Sequence, residues 1–227
     1  MGMHSKSFIV LLFLVFGFIN VSGQNLPLGY ISYFSHDCDN ATLFNFLRPE
    51  HEAEWMIIQD AHKNILRIKP SEDSINSTIP GSRGILDNMI LGDYILEFEM
   101  KSVATGSADT AGFCFIGPAR SREIYYSFLF SKDTVYFFSV QNDSILCRNS
   151  LALKISDNLW NKIRVERNIL TRTLHITLNG ESANSISFSD RALVMGYIGF
   201  GSHRTTSFLR NIRLYAPTVI QEYPFYW

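Results

Sequence analysis

Two runs of alternating apolar and polar residues, followed by an Asn-Gly pair, constrain this sequence more than any other feature. Ile163 and Val165 alternate with Lys162, Arg164 and Glu166, and Leu174, Ile176 and Leu178 alternate with Thr173, His175 and Thr177. A period of two sends successive side chains to opposite faces, so each run reads as a strand with one dry and one wet side. Asn179-Gly180 follows, and both residue types tolerate positive φ, which predicts a tight hairpin turn. A second hairpin is expected from Tyr197–Phe200 to Phe208–Tyr215, turning around Gly201-Ser-His-Arg. Residues 160–215 thus read as an antiparallel meander with one face of its sheet exposed.

The rest of the sequence repeats this grammar. Strands are expected at Ala41–Leu47, Trp55–Gln59, Ile65–Lys69, Arg83–Asp87 and Tyr94–Ser102, after an extended entry segment at 24–40. Further strands are expected at Ala111–Ile116, Ile124–Phe130, Thr134–Val140 and Ser144–Arg148. Asp60-Ala-His-Lys forms a turn between the second and third, while Ser71–Pro80 and Thr105–Asp109 read as loops. No segment beyond the leader holds a helical period over ten or more residues. Many short strands separated by turns indicate a sandwich or a barrel.

The chain of 227 residues accommodates one all-β domain of ordinary size, and its 46% hydrophobic content suffices for a two-layer core. A net charge of −1 argues against a nucleic-acid partner, which needs a basic surface. Residues 1–23 read as a secretory signal: His4 and Lys6 precede the apolar run Phe8–Ile19, and Val21-Ser-Gly23 supplies small residues before Gln24. That run is about a dozen residues, short of the roughly 18 needed to span a bilayer. No second such run exists, so the expected product is a soluble, secreted or periplasmic protein with no membrane span in the mature chain. The sandwich is placed at 24–217, followed by an aromatic tail at 218–227 that either straps onto it or docks a protein partner. Of Cys38, Cys114 and Cys147, the pair Cys38–Cys147 is the favoured bridge, because Cys114 lies in the apolar run Gly-Phe-Cys-Phe-Ile. Their spacing fits no zinc site.

Taken in order, the segments around Glu54-Trp55, Arg83-Gly-Ile-Leu86, Leu91–Lys101 (LGDYILEFEMK), Thr110–Gly117 (TAGFCFIG), Leu159–Arg167 (LWNKIRVER), Leu174–Glu181 (LHITLNGE) and the stretch from Gly196 to Tyr215 resemble the concanavalin A-like lectin/glucanase superfamily. The nearest likeness is to its 3-keto-disaccharide hydrolase (DUF1080-type) branch, with LamG-like modules beside it, over roughly residues 41–215. The resemblance implies a jelly-roll β-sandwich of two curved antiparallel sheets with a glycan site on the concave face. It also has departures. Hydrolase-like domains end the strand matching Ala111–Gly117 in an arginine, where Ile116 and Gly117 stand here. Their Tyr-Glu-x-Gln strand keeps Tyr125, but Tyr126 and Phe128 replace the glutamate and glutamine. His203 matches a histidine after the Gly-x-Ile-Gly strand. LamG-like modules open their last strand with acidic residues that help hold calcium; Arg210 and Asn211 stand there instead, so no cofactor is expected and calcium is unsupported at that strand.

The chemistry-bearing candidates follow from residue type. Glycosidases need two carboxylates flanking the scissile bond. Glu97 and Glu99 share a strand face, but they alternate with core residues and read as a solvated outer surface. Glu123 stands beside Arg120 and Arg122 and offers an acid, a sugar contact or a surface ion pair. Ile124–Phe130 and Val135–Phe138 are apolar on both faces, so the second face is either covered or forms a cleft. Tyr125, Tyr126, Phe128, Tyr136 and Phe138 supply rings for sugar stacking. His203 reads as an exposed loop residue or a ligand contact. No Ser-His-Asp order, phosphate loop or clustered metal spacing appears. Asn40, Asn76 and Asn142 begin glycosylation sequons, which matter only in a eukaryotic host.

Three readings remain open. The first is a carbohydrate-binding module that uses the rings with Arg120, Arg122, Glu123 and His203. The second is a glycosidic-bond hydrolase or lyase acting through Glu123 and His203. The third is an adhesion or scaffold domain.

Overall fold

A computed structural model describes residues 26–38, 47–49, 55–70, 82–86, 89–103, 111–116, 124–131, 133–142, 144–153, 155–156, 158–189, 195–203 and 205–217. The chain divides into Met1–Tyr30 and Ile31–Trp227. In the first unit a turn brings the Tyr30 N–H to Pro27 O at 3.1 Å.

The second unit is built from strands alone among the described residues. They are β1 (Tyr30–His36, which starts at the boundary), β2 (Leu47–Pro49), β3 (Trp55–Asp60), β4 (Lys63–Ile68), β5 (Ser82–Leu86), β6 (Tyr94–Val103), β7 (Ala111–Ile116) and β8 (Ile124–Phe130). They continue with β9 (Thr134–Gln141), β10 (Ser144–Ala152), β11 (Asn161–Asn168), β12 (Thr173–Leu178), β13 (Glu181–Ser189), β14 (Tyr197–Ser202) and β15 (Thr206–Pro217). The first sheet runs β13-β12-β11-β6-β15-β4-β3, with β1 also on β15, and the second runs β10-β9-β8-β7-β14-β5-β2. Every strand pair whose register is defined is antiparallel.

Alternation sets which side chains meet between the sheets. From the first sheet come Leu96, Phe98, Met100, Ile163, Val165, Leu174, Ile176, Leu209 and Leu214; from the second come Tyr126, Phe128, Phe130, Phe137, Ile198 and Phe200. Phe98 meets Phe200 edge-on across the gap at 5.3 Å. Fully burying one such side chain contributes about 1.5–3 kcal/mol. Trp55 of β3 reaches across to Gly84 of β5, where an added Cβ would stand 2.7 Å from the indole. Only glycine lets the ring lie flat on that strand.

The Asn179-Gly180 turn forms as expected, with φ of 54° and 74°. Asn179 also ties the hairpin to the next strand: its N–H donates to Lys162 O at 2.7 Å, and its Oδ1 accepts from Lys162 N–H at 2.8 Å. The β3–β4 turn uses Ala61 and His62 at φ of 42° and 78°, positive values in residues that seldom adopt them.

Several expectations need correction. The meander stops at β13. The hairpin expected from Tyr197 to Tyr215 does not form, because β14 joins the second sheet between β7 and β5 while β15 joins the first between β6 and β4. The reason is compositional: β14 is buried on both faces, whereas β15 alternates. The entry segment contains a strand, β1, and β10 runs to Ala152, beyond the expected end at Arg148. Of the strand expected at 41–47, only Leu47 is described. Cys38 is a buried thiol whose Sγ–H points at Leu209 O, 3.8 Å away, so it does not bridge to Cys147. The leader and the aromatic tail lie outside the described residues. Among the described residues no helix is long and apolar enough to cross a membrane.

Candidate functional site

The two sheets differ on the sides that face away from each other. On the first, Glu97 and Glu99 of β6 point outward, as alternation predicts, but they are not simply solvated. Glu97 is 4% exposed and accepts from Arg164 Nη1 at 2.7 Å, while Arg164 Nε donates to Glu166 Oε1 at 2.5 Å. Glu99 is gripped twice: Arg210 Nε donates to Oε2 at 2.6 Å and Asn211 Nδ2 to Oε1 at 2.8 Å. A bulge between Arg210 and Arg213, with Asn211 at φ 52°, turns both residues toward the same carboxylate. Burial pushes the Glu99 pKa up, but the hydrogen bonds from Arg210 and Asn211 and the charges of Arg210 and Lys63 outweigh it and hold it below the usual value. A carboxylate held ionised by fixed donors is poorly suited to be a general acid. Glu97 and Glu99 both brace the sheet through their arginine partners.

The second sheet carries no Asp or Glu in any of its seven strands. Its outward side holds a second apolar cluster of Tyr125, Leu129, Phe138 and Val140, with Ile85, Tyr136 and Ile145 packed against it. The register explains the set: Tyr125 pairs with Val140, Ser127 with Phe138, and Leu129 with Tyr136. Tyr136 and Phe138 stack at 6.3 Å. Toward β5, the outward positions of β14 are Gly199 and Gly201, which pair with Ile85 and Arg83. Beside Ile85 and Arg83, β14 thus forms a floor without side chains.

Arg83 lies over this floor. It is 4% exposed, and its guanidinium sits 4.7 Å from the centre of the Tyr125 ring. β5 and β8 are three strands apart, about 14 Å on a flat sheet. An extended arginine and a tyrosine lying along the face together bridge that gap, here over the glycines of β14; by the jelly-roll expectation this is the concave face. A buried cation among rings is expensive, at several kcal/mol before compensation, and it marks the place where the face departs from a plain apolar core.

The structure sorts the expected site residues into groups. Tyr125 and Tyr136 come together on the concave face. Tyr126 and Phe128 do not join them: both lie between the sheets, Tyr126 against Phe137 and Phe128 against Phe137 and Phe188, and are sealed from any ligand on that face. Odd and even positions of one strand point oppositely, so the five rings could never share a surface. Tyr125 is itself fully buried, and Tyr136 keeps partial exposure. Arg120, Arg122 and Glu123 lie outside the described residues.

His203 is not an exposed loop residue. It is 6% exposed in the crossing from β14 to β15, beside a hydroxyl cluster in which Ser207 Oγ donates to Ser202 Oγ at 2.9 Å and Ser202 Oγ donates to Thr205 O. It stands two residues past Gly201, the register partner of Arg83. Sequence reasoning missed Arg83. Its signal was the phase of Arg83-Gly-Ile-Leu86, where Leu86 faces the core and Arg83 must therefore face outward. Among the described residues no three His, Cys, Asp or Glu side chains converge as metal ligands.

No family model matches the sequence, and no curated protein does. Solved structures match its fold. The carbohydrate-binding module CBM66 from Bacillus subtilis aligns with a TM-score of 0.50 at 13% identity, covering 81% of this chain and 93% of that one. Basic winged bean lectin, solved with Tn-antigen, aligns at 0.57 and 10% identity, covering 82% and 98%. The Bacillus licheniformis β-glucanase aligns at 0.57 and 10% identity, covering 82% and 97%. These likenesses do not select the 3-keto-disaccharide hydrolase branch. Together with two packed antiparallel sheets that exchange strands at β14 and β15, they show that this chain has the concanavalin A-like jelly-roll fold.

Proposed function

We propose that this protein is an exported carbohydrate-binding module that takes a glycan on the concave face of its second sheet. The glycan ring lies against the partly exposed Tyr136, beside the buried cluster that Arg83 and Tyr125 hold in place. The observation that carries this reading is the Arg83 guanidinium held 4.7 Å from the Tyr125 ring across three strands. An aromatic platform with a fixed cluster of donors is what a sugar requires, since it presents an apolar ring face and a polar rim. The fold shared with a carbohydrate-binding module, a lectin and a β-glucanase supports the same class of ligand. The leader-like residues 1–23 support export.

Hydrolysis is the weaker reading. It would rest on Glu123, which directly precedes β8 and lies outside the described residues, because Glu97 and Glu99 stand on the other sheet, paired with arginines.

The test is a glycan array followed by titration of the best neutral glycan. Tyr136→Ala and Arg83→Met are each expected to weaken binding by about tenfold or more, the scale of a lost ring or charged hydrogen bond. Unchanged affinity in both folded variants rejects the site. Turnover of the bound glycan rejects the binding-only reading.

A further inference from the structure

The outward side of the first sheet also carries a row of side chains beside the ion pairs of β6. Register places Met56, Arg67, Phe208, Lys101 and the residue before β11, Trp160, in one row across five chain segments. Apolar and cationic groups alternate along it. Arg67 Nη2 donates to Met56 Sδ at 3.3 Å. Lys101 Nζ stands 5.2 Å from the Phe208 ring and 5.1 Å from the Trp160 ring. Arg210, from the next row, lies flush on the same indole with Cζ 4.0 Å from its centre.

Two cations therefore crowd one half-buried tryptophan, and their carboxylate partners leave donors over. Glu99 takes only Nε of Arg210, so among the described residues the two terminal guanidinium nitrogens have no acceptor. Among the described residues Lys101 has one carboxylate partner, Asp60, at a long 3.5 Å, with that carboxylate 43% exposed. Lys63 and Lys162 border the same patch, which thus gathers Lys63, Arg67, Lys101, Lys162 and Arg210 against Asp60 and Glu99. On a chain of net charge −1 this is a local excess of positive charge. Such a patch raises the local concentration of anions.

We infer that the Lys101–Trp160–Arg210 corner of the first sheet is a second ligand site, distinct from the concave face, for a saccharide bearing a carboxylate or sulfate group. The anion bridges Lys101 Nζ and the terminal nitrogens of Arg210, and the sugar ring rests on the Phe208–Trp160 row. That the anion is carried by a saccharide rests on the carbohydrate-binding reading above. The anionic chemistry rests on the charges alone.

The experiment uses the full chain and three probes: trigalacturonate, a sulfated disaccharide and inorganic sulfate, with the best neutral glycan as control. Binding is read by titration and by tryptophan fluorescence. At least one acidic saccharide is expected to bind more tightly than inorganic sulfate. Its affinity should drop about tenfold in Lys101→Glu and in Trp160→Leu, fall steeply as salt rises from 50 to 200 mM, and survive Tyr136→Ala. Lys101→Gln, which keeps the stem packing on the rings, is expected to lose several-fold and guards against misfolding by the charge reversal.

The inference is overturned if neither acidic saccharide binds, if inorganic sulfate binds as tightly, or if binding ignores the Lys101 and Trp160 variants. It is overturned equally if duplex DNA or anionic vesicles outcompete the saccharides. Neutral-glycan binding that persists through such a failure leaves the proposed function standing. Loss of all glycan binding removes both.

Discussion

The outward faces of the two sheets solve the same problem in opposite ways. On the first, β11 and β12 alternate cleanly, and the charges of the face are cross-linked in register: Glu97 to Arg164, Glu99 to Arg210 and Asn211, His175 Nδ1 to Ser187 Oγ at 2.8 Å. On the second, the outward side is nearly as apolar as the inward side, and Tyr125 and Val140 are as buried as residues between the sheets. One face is a surface braced by ion pairs, and the other is a second, smaller core with the Arg83 cation laid across it. Alternation shows where a sheet meets water, and its failure shows where something else must meet the sheet.

The sharpest way to break this comparison is to truncate a ring on each face. Tyr125→Ala should cost about 3–5 kcal/mol, the toll of a large core truncation. Phe208→Ala, on the half-exposed first face, should cost about 1 kcal/mol or less. Equal losses in chemical denaturation would mean that the concave face is no second core.

Next in size is Gly84→Ala. Its Cβ would enter the Trp55 ring, and overpacking of this kind costs about 1–3 kcal/mol. A neutral result would show that Trp55 does not pin β3 against β5. Within the charged face the two glutamates should differ. Glu97→Gln weakens a pair in which the carboxylate is 5% exposed and should lose about 1.5–3 kcal/mol. Glu99→Gln acts at a more exposed pair and should lose about 0.5 kcal/mol.

The smallest effect is in pH. Because the folded pKa of Glu99 lies below its ordinary 4.5, its contribution is complete above that value and is lost as pH falls through the lower folded pKa. Denaturation midpoints of wild type and Glu99→Gln should therefore converge on acidification below pH 4.5. Parallel curves would assign the loss to packing.

Much of the architecture was readable because one face of most first-sheet strands must be wet. Ile163 and Val165 against Lys162 and Arg164 admit a single orientation, and the structure adopts it. Pairing was less readable. The polar-free run Tyr197-Ile-Gly-Phe belongs to the sheet buried on both sides, and the charged alternation of Arg210 and Arg213 belongs to the other, but proximity in sequence suggested a hairpin. Two-sided apolarity in β8 and β9 reflects an outward face that carries its own apolar cluster. It erased the phase, however, so nothing in Tyr-Tyr-Ser-Phe-Leu-Phe separates Tyr125 from Tyr126 until Phe128 is seen between the sheets. Arg83 stands as one charge at the head of a short apolar strand. Its reach past β14 and β7 to Tyr125 emerges only from the strand order of the sheet.

The most direct test of the concave-face account is a crystal structure of the protein with the neutral glycan that binds it best. The account expects a sugar ring stacked on Tyr136, on the side of the second sheet where Arg83 meets Tyr125. A glycan seated at the sandwich edge, with Tyr136, Arg83 and Tyr125 untouched, would contradict it.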